Sequence, residues 1–211
     1  MYNVIMKKRD YKNFAQGSMA HIFNRGNNKE KIFFDEQDYK AFLFRIALAL
    51  GFSEKELLSE RTLTMPYSRI RIEGIKNLFV IHAFCLMPNH FHIIIEQLGN
   101  VPISNLISKV CTSYAKYINK KYKKVGHVFQ DCFKATLIED DEQLMWVSAY
   151  IHMNPVKDKL VSHPSKYKWS SYNHLTGGDN LILCSKFLKE KLGEKSNFEK
   201  ETLNYYVKES L

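Results

Sequence analysis

Two histidines separated by one residue are the first candidates for chemistry. His90 and His92 flank Phe91 in an isoleucine-rich run, which predicts a β-strand. Residues two apart on a strand point to the same face, so both imidazoles project side by side. Imidazole nitrogens are common ligands of divalent ions, so this pair predicts a metal site with room for substrate oxygens. The alternative is two polar residues on a solvated face of the sheet.

A tyrosine and an asparagine four residues apart form the second candidate set. Tyr150 and Asn154 share one face of a predicted helix, one turn apart. This helix begins at an acidic run in which Asp140 and Gln143 resemble a capping box. We expect it to end near Asn154, because Pro155 disfavours helical geometry in the residue before it. Taken alone, Tyr150 is explained by packing and Asn154 by a helix end.

A lysine-rich stretch lies between these two sets. The chain has 31 Lys and Arg against 22 Asp and Glu, a net charge of +9, which favours a polyanionic partner. Lysines interleaved with aromatic residues suit the phosphates and stacked bases of single-stranded nucleic acid. A solvated helix face with core-facing aromatics is the alternative. The predicted DNA-binding lysines are Lys109, Lys116, Lys120, Lys121, Lys123, Lys124 and Lys134.

Together these residues are the parts of a metal-assisted phosphodiester transesterification. A divalent ion would polarise the phosphate and stabilise the charge that develops on it. The tyrosine oxygen would displace the 3′ oxygen and keep the 5′ phosphate as a covalent adduct, so rejoining needs no ATP. Tyr114 and Tyr117 are rival nucleophiles by composition, and the pairing with Asn154 favours Tyr150.

The predicted elements place these residues in an α+β fold. Strand, helix, strand, strand, helix and strand match the ferredoxin-like βαββαβ pattern, an antiparallel sheet with helices on one face. The hairpin over 77–97 is expected at the centre of the sheet, and an extra C-terminal helix carries Tyr150. The predicted ranges are 19–24, 35–50, 77–87, 90–97, 102–125, 128–138 and 139–154.

Three separated motifs resemble the REP-associated tyrosine transposases of the single-tyrosine HUH transposase superfamily. They are LMPNHFHII at 86–94, YIHMNPVK at 150–157 and WSSY at 169–172, in this order. Residues 21–35 and 126–130 also resemble family segments, so the resemblance covers about residues 17–175. It implies a ferredoxin-like, Mg²⁺- or Mn²⁺-dependent endonuclease and strand transferase that acts on single-stranded or hairpin DNA.

The resemblance also implies a role for each site residue. His90 and His92 fall on the two metal-ligand histidines, and Tyr150 falls on the nucleophile. Asn154 falls where the superfamily places a third ligand. Cys132 stands where the family usually has arginine, which would alter DNA binding if that arginine touches DNA. Superfamily members act as monomers or as dimers that exchange the tyrosine helix, so a homodimer stays open.

The predicted organisation is one catalytic unit with two appendages. The HUH tyrosine transposase domain spans 17–175 with an insertion at 53–75, the basic lead-in spans 1–16, and a helical C-terminal extension spans 176–211. Four scattered cysteines without a C-x-x-C motif fit a reduced compartment. We identify no signal peptide and no apolar run long enough to span a membrane, and therefore expect a cytoplasmic protein.

Two other classes of function stay open from the residues alone. A non-catalytic ferredoxin-like nucleic-acid-binding module would need exposed aromatics on its central strands, where this chain carries His90 and His92. A hydrolase that uses metal-activated water would need further carboxylate or histidine ligands, and none falls at an obvious spacing. A tyrosine-linked DNA adduct would separate these classes.

Overall fold

A four-stranded antiparallel sheet forms the centre of the computed structural model, which describes residues 14–53, 57, 74–177, 184, 187–191 and 198–204. Its spatial order is β2-β3-β1-β4, and every neighbouring pair is antiparallel. This arrangement confirms the predicted α+β class with an antiparallel sheet. The strands are β1 Met19–Arg25, β2 Phe79–Met87, β3 His90–Gln97 and β4 Lys134–Ile138. Three predicted segments lie wholly or mostly outside the described residues. They are the lead-in up to residue 13, the insertion and the C-terminal extension.

Two long helices cover one face of the sheet. Helix α1 (Glu36–Leu50) begins at Asp35, which forms a capping box with Asp38. It ends at Gly51, whose φ of 111° lies in the left-handed region that favours glycine. Helix α2 (Ile103–Tyr122) packs beside α1. Alternate strand residues, among them Ile22 and Phe91, fill the core between the sheet and these helices.

A third helix lies on the opposite face of the sheet. Helix α3 (Asp141–Lys157) begins at Asp140, whose side chain accepts a hydrogen bond from the backbone of Gln143. Its buried residues Leu144, Val147 and Ile151 pack with strand residues such as Ile94. Short helices α4 (Tyr172–Leu175) and α5 (Phe187–Lys191) follow. The sheet is therefore covered by α1 and α2 on one face and by α3 on the other.

The sequence predicted that the hairpin of β2 and β3 lies at the centre of the sheet, and this prediction was wrong. Only β3 is internal, whereas β2 is an edge strand. The chain after α3 covers this edge, because Leu86 donates its N–H to the carbonyl of Trp169 at 2.9 Å and Ser171 donates to Phe84 at 3.0 Å. Bonding along the edge explains why β2 is buried and apolar although it has one strand neighbour.

The predicted start of the fourth strand at residue 128 was wrong. Strand β4 begins at Lys134, and residues 126–133 form an irregular connection with a single bridge from Phe129 to Gly26. The side chain of Asn24 donates to the backbone carbonyl of Asp131 at 3.1 Å, in place of a regular ladder. The apolar residues that suggested a strand pack into the core instead, including Phe133.

The predicted end of the last helix at Asn154 was also wrong. Helix α3 continues through Pro155 to Lys157. Proline has no N–H to donate to the carbonyl of Ile151, four residues earlier. The side-chain amide of Asn154 reaches that carbonyl at 3.4 Å and the carbonyl of Tyr150 at 2.9 Å. This side chain compensates for the missing backbone donor and lets the helix continue.

Candidate functional site

The two predicted metal-ligand histidines lie side by side on the sheet face that α3 covers. The ring centroids of His90 and His92 are 5.1 Å apart. Burial lowers the pKa of His90 to about 4. Burial, together with the neighbouring His21 and His90, lowers the pKa of His92 well below its ordinary value. Both imidazoles are therefore neutral at pH 7, which is the form that binds metal ions.

The orientation of His90 is fixed by its neighbour Asn89. Asn89 donates its amide N–H to the carbonyl of Lys29 at 3.2 Å, so its oxygen faces His90. This oxygen lies 2.6 Å from Nδ1 of His90. An amide oxygen only accepts, so Nδ1 carries the hydrogen. Nε2 is left with its lone pair.

Asn154 lies beside His90 and is buried, with 8% of its surface exposed. Its side chain lies against the His90 ring and would stabilise the protonated imidazole, which raises the pKa of His90, although burial outweighs this effect. Because the amide nitrogen already donates to the carbonyls of Tyr150 and Ile151, the amide oxygen is the atom that can face His90.

Tyr150 is the tyrosine that the fold brings to the histidines. Its ring lies edge-on to His92, with 5.6 Å between the ring centroids. Trp146, one turn earlier, stacks on Tyr150 with an interplanar angle of 3°. The ammonium nitrogen of Lys157 lies 5.2 Å from the centre of the Tyr150 ring. The ring is thus held between an aromatic neighbour, a cation and His92.

The rival tyrosines lie on the other side of the sheet. Tyr114 is fully buried, and its hydroxyl donates to the carbonyl of Ile32 at 2.6 Å. The hydroxyl of Tyr117 donates to the carboxylate of Asp38 at 3.0 Å. Both rings belong to the core under α1 and α2, so the sheet separates them from His90 and His92.

Strand β1 contributes two residues to this site that the sequence analysis did not assign. His21 is buried, and its Nε2 lies 2.9 Å from Nδ1 of His92. Phe23 stacks on His21 with 5.1 Å between the ring centroids. Both belong to a segment with a family resemblance, but only the β1–β3 register shows that they share a face with His92. In the sequence, the only indication was that His21 and Phe23 are two residues apart on a predicted strand and therefore point to the same face.

The donor set fits a divalent ion with open coordination positions. It consists of two neutral imidazoles and one amide oxygen, which suit a borderline metal and leave room for phosphate oxygens and water. Among the described residues, no group of three or more His, Cys, Asp or Glu side chains could hold an ion. The carboxylate-rich ligand set of a metal hydrolase is therefore absent from the part of the chain that the structure describes.

The predicted DNA-binding lysines fall into three settings. Lys134, at the start of β4, lies 6.0 Å from the ring of Phe23 and thus next to the site. Lys121 pairs with Asp35 at 2.7 Å and with Asp38 at 2.8 Å; burial opposes its charge, but these bonds dominate and raise its pKa. Lys124 lies 3.5 Å from a carboxylate oxygen of Glu30. The others, on α2 across the sheet from α3, are Lys109, Lys116, Lys120 and Lys123 at its C-cap.

Comparisons with known proteins indicate what this chain is similar to. The family model described as "Transposase IS200 like" matches residues 54–154, which contain all four predicted site residues. Over these residues the chain is similar to the IS200-like transposase family. A relative from Haemophilus influenzae, named as a REP-associated tyrosine transposase, is 27% identical over 103 residues. The match covers 43% of this chain and 57% of that relative, so the chain spans little more than half of its length.

A solved structure supports the fold of this chain. It is described as a REP-associated tyrosine transposase bound to a REP hairpin, and it superimposes with a TM-score of 0.56 at 15% identity. The match covers 82% of this chain and 93% of that one. This match confirms the predicted fold, and the similarity to the family model and to the relative supports the resemblance found in the motifs. Among the described residues, no helix is both long and apolar enough to cross a membrane.

Proposed function

We propose that this protein is an HUH-type transposase, a metal-dependent endonuclease and strand transferase that acts on single-stranded DNA. The observation that carries the proposal is the position of Tyr150 on α3. Its ring contacts His92, and Asn154, one turn later, contacts His90. A candidate nucleophile and three candidate ligands thus meet on one face of the sheet.

The two histidines and the asparagine would hold Mg²⁺ or Mn²⁺. When bound, the ion would neutralise charge on the scissile phosphate and orient it. His90 and His92 supply neutral nitrogens because burial keeps both rings uncharged at pH 7. Asn154 supplies an oxygen whose direction is set by the amide hydrogen bonds to the helix backbone.

Tyr150 would attack the phosphorus and take over the 5′ phosphate. A bond forms between its Oη and phosphorus, and the bond between phosphorus and the 3′ oxygen breaks. The tyrosyl proton passes to water, and the 3′ oxygen takes up a proton to become a hydroxyl. The reverse attack by a 3′ hydroxyl restores the strand and releases the tyrosine. Trp146 and Lys157 would hold the ring in place during both steps.

The lysines would contact the DNA backbone from two sides of the sheet. Lys134 and the ring of Phe23, which lie close together, would meet the strand near the cut. The exposed lysines of α2 lie across the sheet, where a folded hairpin would reach them by passing the β4 edge. We infer that this chain also binds hairpin DNA, because a structure of the same fold is bound to a REP hairpin.

A non-catalytic nucleic-acid-binding module is the second candidate. Such modules of the ferredoxin-like class stack bases on an open sheet face. Here α3 packs against that face and carries Tyr150 to the histidines, which favours catalysis. Tyr150 lies beside the histidines of its own chain, so the proposed site needs no second copy, although a homodimer is compatible with it.

The decisive experiment traps the adduct. A hairpin oligonucleotide with single-stranded flanks is incubated with the protein and Mn²⁺, and peptides are analysed by mass spectrometry. We expect a nucleotide on the peptide that contains Tyr150, no adduct with Tyr150→Phe, and a normal adduct with the control Tyr117→Phe. An adduct on another tyrosine would refute the assignment but keep the class. Cleavage by Tyr150→Phe without a protein linkage would favour a hydrolase.

A further inference from the structure

The mechanism above gives no role to His21, the buried histidine of β1. Its Nε2 lies 2.9 Å from Nδ1 of His92, and the rings are nearly parallel with centroids 5.1 Å apart. The exposed fractions are 7% for His21 and 4% for His92, so water competes little for either nitrogen. The contact therefore couples the position of the hydrogen on one ring to its position on the other.

The strand register produces this contact. Phe23 pairs with His92 and His21 pairs with Ile94 in the antiparallel ladder of β1 and β3. His21 and His92 are thus diagonal neighbours on the same face, a relation that long side chains can bridge. Phe23 stacks on His21, and the Tyr150 ring lies edge-on to it with centroids 6.1 Å apart. Packing on both sides holds the His21 ring at its position.

Two neutral imidazoles can share only one hydrogen in such a bond. In one arrangement His92 donates from Nδ1, and its Nε2 keeps a lone pair. In the other, His21 donates from Nε2, so the hydrogen of His92 sits on its own Nε2. Only the first arrangement lets Nε2 of His92 bind an ion.

We propose that His21 is a positioning residue that accepts the Nδ1 hydrogen of His92 and so presents Nε2 to the metal. His90 already has this arrangement, because its Nδ1 hydrogen is held by the oxygen of Asn89. Both candidate ligands then have an acceptor behind them, which is how proteins orient metal-binding histidines. This inference rests on the proposed metal site.

The tautomer is measured first, without metal. Nitrogen-15 NMR of the histidine side chains at pH 7.5 distinguishes Nδ1–H from Nε2–H, and His92→Asn assigns the signals. We expect His92 in the wild-type protein to carry its hydrogen on Nδ1. A hydrogen on Nε2 of His92 would overturn the proposal, whatever the protein does with DNA.

Metal affinity is measured next, with Mn²⁺ alone and no DNA. His21→Phe keeps a ring that can stack on Phe23 but removes the acceptor, and we expect Mn²⁺ to bind about 10- to 100-fold more weakly. His21→Gln restores an acceptor at similar reach and should recover most of the affinity. The control His82→Gln alters another buried histidine, hydrogen-bonded to Glu96, and should bind Mn²⁺ like the wild type.

The outcomes separate the two proposals. If folded His21→Phe binds Mn²⁺ as tightly as the wild type, His21 has no positioning role. If the wild-type protein binds no Mn²⁺, the proposed metal site fails, and the tautomer of His92 still tests its hydrogen bond with His21. If His21→Phe does not fold, the wild-type tautomer and the affinity of His21→Gln decide.

Discussion

Asn154 donates its side-chain amide to the backbone carbonyl of Tyr150, across 2.9 Å and one turn of helix. The same nitrogen approaches the carbonyl of Ile151, which Pro155 cannot reach for lack of an N–H. One side chain therefore continues the helix past a proline and turns its oxygen toward His90. This relationship gives the spacing of four between Tyr150 and Asn154 a physical meaning, because it makes the candidate third ligand part of the helix that carries the nucleophile.

The first prediction separates the two halves of the Asn154 amide. Asn154→Asp keeps an oxygen but loses the donor, whereas Asn154→Ala loses both. Each variant should lower the free energy of unfolding by about 1 kcal/mol, the usual net contribution of such a hydrogen bond. Only Asn154→Ala should lose Mn²⁺ affinity in calorimetric titrations. Equal Mn²⁺ affinity of the alanine variant and the wild type would remove Asn154 from the ligand set.

The second prediction concerns Lys121, which the structure pairs with two carboxylates. Asp38 is fully buried, so removing its cation should destabilise the fold. We expect Lys121→Met to lower the free energy of unfolding by roughly 2 kcal/mol, below the usual cost of breaking a buried pair, since Asp38 keeps its other hydrogen bonds. Urea unfolding measures this loss.

The matched control for Lys121 is Lys116, an exposed lysine on the same helix. If Lys116 contacts a phosphate, Lys116→Met should flatten the slope of log K against log salt by about 0.7 for single strands, with little change in stability. Lys121→Met should leave that slope nearly unchanged. The reverse pattern would show that Lys121 contacts the DNA phosphates and that Lys116 does not.

The third prediction concerns Ser171, which joins the covering segment to β2 and to α3. Its hydroxyl accepts from the N–H of Phe84 and lies 2.9 Å from Nε2 of His152. Because Ser171 is fully buried, Ser171→Ala leaves two polar groups without this partner, and we expect a loss of roughly 2–3 kcal/mol in the free energy of unfolding. Ser170→Ala, which removes longer hydrogen bonds at the neighbouring position, should cost less. Similar losses at both positions would argue against the network.

The local elements near the site could be predicted well from the sequence. Apolar runs bounded by turns mark β1 and β3 to within one residue, and Asp35 and Gly51 mark both ends of α1. The fit is good because the short-range signals agree with the tertiary structure at these places. The end of α3 could not be predicted in this way, because propensity rules count the backbone of Pro155 and ignore the side chain of Asn154.

The contribution of β1 to the site lies beyond such local signals. His21 and His92 are 71 residues apart, and their contact depends on the register between two strands. A shift of one residue would turn His21 to the face under α1 and α2. The same limit applies to Lys121, whose charge looks available in the sequence until the fold places Asp35 and Asp38 beside it.

The last prediction concerns His152, which is fully buried two residues after Tyr150. Its Nδ1 donates to the carbonyl of Ser148 at 2.7 Å, and burial lowers its pKa to about 4. In the unfolded chain a histidine titrates near about 6.5. Between these pH values the histidine is protonated in the unfolded state but not in the folded state. Its contribution to the free energy of unfolding is therefore fully present above pH 6.5 and is lost as the pH drops toward 4.

His152 should therefore contribute a slope of about 1.4 kcal/mol per pH unit to the free energy of unfolding in that window. Urea unfolding of the metal-free protein from pH 7.5 to 4.5 measures it. His152→Gln should be less stable than the wild type at pH 7.5. Its free energy of unfolding should fall less steeply with decreasing pH, by up to the slope of one proton, because glutamine does not titrate. A His152→Gln protein with an unchanged slope would show that His152 takes up its proton within the folded state.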